Sequence, residues 1–270
     1  MSKPAHRYAI YYAPPTDSPW WQTGSQWLGR CAATGRALHQ PLVPGITAEA
    51  FAALTVAPRR YGWHATLKAP FFMAEGTTLN QLCVVIENLA GALSSFDIPA
   101  LRVQRLDDFL ALVPDPVALL APEVGRAERS APTHKLAPPA SQAPPLPAQN
   151  SLPTRLLEGI ARVSVQELAP LAAPLTAADL QRRRLAPLTS AQDALLVRWG
   201  YPYVMEEFRF HCSLTGSLKG LESAQVQALQ HAAEASFYPL PPCRFESLAL
   251  FEEPAPGSDF RLVQHFGMRA

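Results

Sequence analysis

Hydrophobic and polar positions alternate along this chain with two different periods, and each change of period marks the edge of an element. His6 to Ala13 is rich in aromatic residues and stops at Pro14-Pro15, which predicts a strand. Asp17-Ser18-Pro19 then opens a helix that places Trp20, Trp27, Leu28 and Cys31 on one face. A short helix starts at Thr47 and ends near Leu54, and Pro58-Arg59-Arg60 leads into a strand that closes at Pro70. From Thr78 to Ser94, residues Leu79, Leu82, Val85, Ile86, Leu89 and Leu93 recur at helical spacing. Pro99 to Arg105 and Asp108 to Val113 read as a strand pair turning near Asp107. Helical periodicity returns from Leu152 to Leu168, then after Thr176, and again from Thr189 to Trp199, where Gly200 ends it. A strand around His211, a helix from Leu221 to Phe237 and two strands, Cys243 to Phe251 and Phe260 to Phe266, complete the pattern.

Two strands carry the chemistry. Arg60-Tyr61-Gly62-Trp63-His64-Ala65-Thr66-Leu67-Lys68 and Phe208-Arg209-Phe210-His211-Cys212-Ser213-Leu214-Thr215 each hold a histidine, any residue, a hydroxyl residue and a leucine. Strand residues i and i+2 share a face. His64 therefore lies with Thr66, and His211 with Ser213, while Ala65, Leu67, Cys212 and Leu214 face the other way. Two imidazoles and two hydroxyls converging on one cleft suit acid–base work on a phosphate ester. An imidazole near its ordinary pKa of about 6.5 serves as acid or base at neutrality, and hydroxyls donate to phosphate oxygens. By the same alternation Arg60, Lys68 and Arg209 point towards the cleft. Tyr61, Trp63 and Tyr203 are candidates to stack on a base or sugar, although aromatic residues beside a strand are also ordinary core. Arg182-Arg183-Arg184 reads as a solvated helix face. Glu206-Glu207 lies just before the second motif, so a mixed His/Glu metal site is a competing account, but neither motif brings a second histidine or a carboxylate at ligand spacing, and no metal and no cofactor is expected.

Motif strand, helix, strand, turn, strand follows His64 and again His211, which predicts an α+β fold built by internal duplication. Two lobes with antiparallel sheets, flanked by helices, would face each other across a central cleft. The first lobe is 1–113 and the second 153–270. Between them, 114–152 is Pro/Ala-rich, with ten of the chain's 28 prolines falling in Pro114 to Pro153. Such a segment reads as a linker or tolerated insertion, most clearly across Pro122 to Asn150.

The paired motifs resemble the H-x-T/S-hydrophobic motifs of the 2H phosphoesterase superfamily. Arg7-Tyr8-Ala9-Ile10-Tyr11-Tyr12-Ala13-Pro14, Arg60 to Lys68 and Trp199-Gly200-Tyr201-Pro202-Tyr203 are similar to a bacterial branch associated with phosphonate metabolism, the DUF1045 family. The resemblance spans both halves and departs at Ser213, where threonine is commoner. It implies a duplicated fold with a V-shaped cleft. It also implies a metal-independent cyclic phosphodiesterase, a phosphoric diester hydrolase that opens a cyclic phosphate on a ribose-containing small molecule or an RNA end. His64 and His211 would be its acid and base, and Thr66 and Ser213 its phosphate donors. The competing expectation is a nucleotide- or RNA-binding module that uses the same cleft without turnover.

Composition limits the setting. The 270 residues are 48% hydrophobic and 17% charged, with a net charge of +1. That profile fits a globular protein with no global field for nucleic acid. No apolar run approaches the roughly 20 residues of a membrane span, and Met1 to His6 does not open a secretory signal. Four scattered cysteines read as free thiols in a reducing, cytoplasmic setting. No obligatory protein partner is expected.

Overall fold

The computed structural model describes residues 6–115 and 152–270. The segment Pro122 to Asn150, expected to be a linker, lies outside the described residues. Strand β1 (Arg7–Tyr12) is followed by α1 (Pro19–Leu28), α2 (Ala48–Leu54), α3 (Val56–Tyr61), β2 (Ala65–Phe71), α4 (Leu79–Ala92), β3 (Phe96–Asp97), β4 (Leu101–Leu106) and β5 (Phe109–Pro114). After the undescribed segment come α5 (Leu152–Glu167), α6 (Ala177–Arg183), α7 (Ser190–Trp199), β6 (Cys212–Ser213), α8 (Ser223–Phe237), β7 (Arg244–Phe245), β8 (Ser247–Glu253) and β9 (Arg261–Gly267). The mixed α+β architecture expected from the periodicity is present.

Local chemistry sets most boundaries. Ser18 accepts from the Trp21 N–H at the start of α1, and Gly29 ends that helix in the left-handed conformation. Capping boxes at Thr78, Thr176 and Thr189 open α4, α6 and α7. One stretch departs from expectation: Val56–Tyr61 is a helical turn instead of a straight approach to β2. Pro58 is tolerated there because the first-turn N–H groups of a helix have no intrahelical partner anyway.

The strands of the two halves share one sheet instead of forming two. Seven strands run in the order β4-β5-β6-β2-β1-β8-β9, antiparallel throughout, and β3 pairs with β7 in a separate ribbon. The element order β2-α4-β3-β4-β5 recurs as β6-α8-β7-β8-β9, but the hairpins are exchanged. The β4–β5 hairpin of the first half borders β6 of the second, and β8–β9 borders β1.

Register explains the two faces. Tyr12, Ala65, Cys212 and Leu112 lie level across β1, β2, β6 and β5, and all four are buried. They join the main core with Trp27 of α1, Leu82 and Ile86 of α4, Leu157 of α5 and Phe237 of α8. The positions on either side of that row, Tyr11 paired with Thr66 and Ala111 paired with Ser213, face the other way. A smaller cluster of Ala9, Tyr11, Trp21, Ala249, Phe251 and Phe260 covers part of that second face. The remainder of it is open and forms the cleft. Among the described residues no helix is long and apolar enough to cross a membrane, and all four cysteines are free.

Candidate functional site: a two-histidine cleft

A cleft of about 560 Å³ opens over the centre of the sheet, lined by His64, Thr66, His211 and Ser213. Its floor is the seam between β2 and β6. Ala65 pairs with Cys212, so the antiparallel register sets His64 level with Ser213, and Thr66 level with His211. Each imidazole is thus beside the hydroxyl of the other motif. Diagonal neighbours on adjacent strands have Cα atoms about 7–8 Å apart, a span that a phosphate group can bridge.

The two rings are held in the same way. His64 Nδ1 lies 2.8 Å from the carbonyl oxygen of Gly62, and His211 Nδ1 lies 2.8 Å from that of Arg209. A carbonyl only accepts, so each Nδ1 carries the proton and each Nε2 keeps a lone pair. The Thr66 hydroxyl lies 3.2 Å from His64 Nε2 and donates to it. An aromatic ring backs each imidazole. Tyr11 of β1 packs on His64 at 3.9 Å between centroids, and Phe109 of β5 lies 5.8 Å from His211. Gly62 is required for the first tether. It sits at φ +82°, and a Cβ there would come within 2.5 Å of the Ala32 methyl.

Burial lowers the pKa of both imidazoles. Desolvation, opposed by the Gly62 hydrogen bond and helped by the neighbouring His211, brings His64 down to about 4. His211 is also lowered by burial, against its bond to the Arg209 carbonyl. Both rings are therefore neutral at pH 7 in the free cleft, which differs from the one-neutral, one-charged pair expected from ordinary histidine values. A consequence for stability follows. In the unfolded chain an imidazole takes up its proton near pH 6.5, whereas folded His64 does so near 4. Between those values the unfolded chain binds more protons, so acidification favours unfolding. The denaturant midpoint of the wild-type protein is expected to fall from pH 7 to pH 5. The fall should be smaller in the double variant His64→Gln/His211→Gln, and an equal fall in both would contradict the assignment.

The remaining expected residues divide. Tyr61 lines the cleft, with its ring 6.1 Å from His64 and stacked on Phe260. Tyr203 is 45% exposed and borders an adjoining hollow of about 500 Å³. Arg209 borders that hollow as well, but its guanidinium turns back onto the carbonyls of Glu206 and Phe208. Trp63 is not in the cleft. It shares the odd-numbered face of Ala65, is 1% exposed and stacks on Phe237 at 5.1 Å. Lys68 is also in the interior, because a register irregularity lies between Ile10 and Tyr11 of β1. Thr66 pairs with Tyr11 but Lys68 pairs with Ile10, so Leu67 is a bulge and the alternation reverses beyond it. Lys68 ends buried over the Phe71 ring, its pKa lowered to about 8 by desolvation, and Ala69 takes the cleft position. Arg60 leaves the cleft because it is helical, not extended, and its guanidinium pairs with Glu253.

Among the cleft residues that escaped the sequence reading are Arg7, Tyr11, Asp108, Arg182, Arg183 and Tyr201. Arg7 and Tyr11 share a face of β1, and the even spacing between them was the available signal. Arg183 belongs to the triple-arginine run that reads as solvated, and nothing local distinguishes it from its neighbours. Glu253, buried at the rim, binds Arg7, Arg60 and the Gly257 N–H. Burial alone would raise its pKa. The Arg7 hydrogen bond, the Gly257 N–H and the two guanidinium charges bring it below the ordinary carboxylate value. Among the described residues no three His, Cys, Asp or Glu side chains converge as a metal-ligand set.

A family described as "Protein of unknown function (DUF1045)" matches residues 66–124 and 146–261. The chain belongs to the DUF1045 family. The match begins at Thr66, one residue into β2 and two after His64, and takes in β6, which holds Ser213, and the preceding His211. Two relatives named "Ribose 1,5-bisphosphate phosphokinase PhnN" are similar to this DUF1045 chain. The protein from Janthinobacterium sp. (strain Marseille) is 35% identical over 257 residues, covering 94% of the chain and 49% of the relative. The protein from Laribacter hongkongensis (strain HLHK9) is 34% identical over 264 residues, covering 96% and 51%. The chain spans about half the length of these relatives. Their name is that of a phosphokinase. It overturns the expectation, drawn from the motifs, that the enzyme class is a phosphoric diester hydrolase.

Proposed function

We propose that the cleft is a phosphate-ester site for a phosphorylated ribose, with His64 and His211 as its proton-handling pair. The observation that carries this reading is the cross-strand register, which brings each imidazole level with the hydroxyl of the other motif. Thr66 and Ser213 are then the donors to the phosphate oxygens. The ribose bisphosphate in the relatives' name supports a phosphorylated ribose as the ligand, and with it a place in phosphonate metabolism. The chain has no G-x-x-x-x-G-K-[ST] phosphate loop, so recognition of the phosphate falls to side chains. The recurring element order and the paired motifs support a duplicated fold of the 2H type.

Free, both Nε2 atoms carry lone pairs, which repel phosphate oxygens. A phosphate can settle between them only if a proton comes with it. Binding therefore protonates one imidazole and leaves the other neutral, and the liganded pair becomes one acid and one base. Which of the two takes the proton depends on the ester's orientation.

Calorimetric titration with ribose 5-phosphate tests this. Wild-type protein should bind at pH 7.5 with net proton uptake, seen as an apparent enthalpy that varies with the ionisation enthalpy of the buffer. Affinity should rise as pH falls towards about 6, where the free phosphate gains its own proton. His64→Ala and His211→Ala should each weaken binding at least about tenfold, as expected when a charge-assisted bond of 1.5–3 kcal/mol is lost. No binding by the wild type, or binding indifferent to both substitutions, would overturn the proposal.

A further inference from the structure

Three consecutive arginines end α6, and they are not equivalent. Arg182 donates to Asp179 at 2.9 Å. Arg184 holds Asp193 through two bonds of 2.6 and 2.9 Å. Arg183, half-buried and lining the cleft, has no carboxylate within ion-pair distance among the described residues, and its Nε is buried without an acceptor. Its guanidinium lies 5.7 Å over the Tyr201 ring, which fixes its direction without neutralising it.

A second cation stands near it. Arg7 also lines the cleft, and its charge opposes that of Arg183. Arg7 gives its Nε to Glu253, and no other hydrogen bond of its guanidinium is seen among the described residues. Two guanidiniums that repel each other at the wall of a half-enclosed hollow, one of them without a carboxylate, raise the energy of the free state. Burying an unpaired charge is costly, and a ligand that supplies an anion recovers that cost. The fork of a guanidinium matches a phosphate in two-point geometry.

We propose that Arg183 and Arg7 form a second anion subsite within the cleft, separate from the imidazole pair, and that the ligand is a bisphosphorylated pentose. One phosphate lies between His64 and His211 and the other against the arginines. The cleft volume of about 560 Å³ is within the ordinary range of roughly 300–1,000 Å³ for small-molecule sites. This inference rests on the phosphate-ester reading of the imidazole pair.

The test compares ribose 5-phosphate with ribulose 1,5-bisphosphate by calorimetry, on wild type and on Arg183→Gln, Arg183→Lys, Arg184→Gln and His211→Ala. Thermal unfolding of each variant establishes that it is folded. Wild type should bind the bisphosphate about ten- to hundredfold more tightly than the monophosphate, the factor expected from one charge-assisted contact. Arg183→Gln should abolish that advantage, bringing bisphosphate affinity down to that of the monophosphate. Arg183→Lys should retain part of it, and Arg184→Gln all of it. His211→Ala should weaken both ligands alike. Equal wild-type affinity for the two ligands, or an Arg183→Gln variant that weakens both equally, would overturn the second subsite and leave the imidazole reading standing. Binding of both ligands unaffected by His211→Ala would overturn the imidazole reading itself.

Discussion

Trp63→Ala should unfold the protein on the order of 10 °C below wild type, a loss of about 3–5 kcal/mol for a fully buried large aromatic. The expectation follows from the side on which the approach to β2 places Trp63, the side of Ala65. Trp63 is stacked on Phe237 with 16° between ring planes. Its other contact is with α1 at Gly24, where even a Cβ would stand 2.0 Å from the indole. Removing the ring leaves a gap that neither α1 nor α8 can close without moving β2, and β2 carries Thr66 and the approach to His64. Thermal unfolding measures the effect. A variant with wild-type stability but weakened ligand binding would instead make Trp63 a stacking residue of the cleft.

Glu253→Ala is expected to cost a similar amount, about 3–5 kcal/mol, because breaking a buried ion pair leaves the partner charges uncompensated. Glu253 has no exposed surface and is shared by Arg7 and Arg60. Its loss frees two cations at once and orphans the Gly257 N–H. Glu253→Gln keeps the shape and one acceptor, and should lose less. Denaturant unfolding of the two variants separates charge from packing. If the two lose equally, the charge carries the effect; if neither loses measurably, the cluster is not structural. Because its folded pKa is depressed, Glu253 stabilises at neutral pH and loses that contribution as pH falls below the ordinary carboxylate range.

Much of the architecture was legible in local sequence, because the signals that set it are local. Proline pairs stopped strands, threonine caps started helices, and alternation separated His64 and Thr66 from Ala65 and Leu67. What could not be read depended on contacts between distant segments. Lys68 has the right parity for the cleft, and only the pairing of β2 with β1 reveals the bulge at Leu67 that reverses it. Arg60 looks like strand because it precedes one, yet tertiary packing winds it into a turn beside Glu253. Arg183 cannot be told from Arg182 and Arg184 until Asp179 and Asp193 are seen to occupy its neighbours. The expectation of two separate sheets failed for a related reason. Repetition in sequence predicts repeated elements, but not which copy's hairpin completes which edge.

The seam at β6 has a consequence for synthesis. Only two residues, Cys212 and Ser213, bind β2 on one flank and β5 on the other. A nascent chain that has emerged only as far as α7 thus displays three strand margins without their native neighbours, on β5 and β2 for want of β6 and on β1 for want of β8, each ready to adopt a foreign partner. Translation that pauses or terminates there would yield sticky fragments, and the cleft would not yet exist.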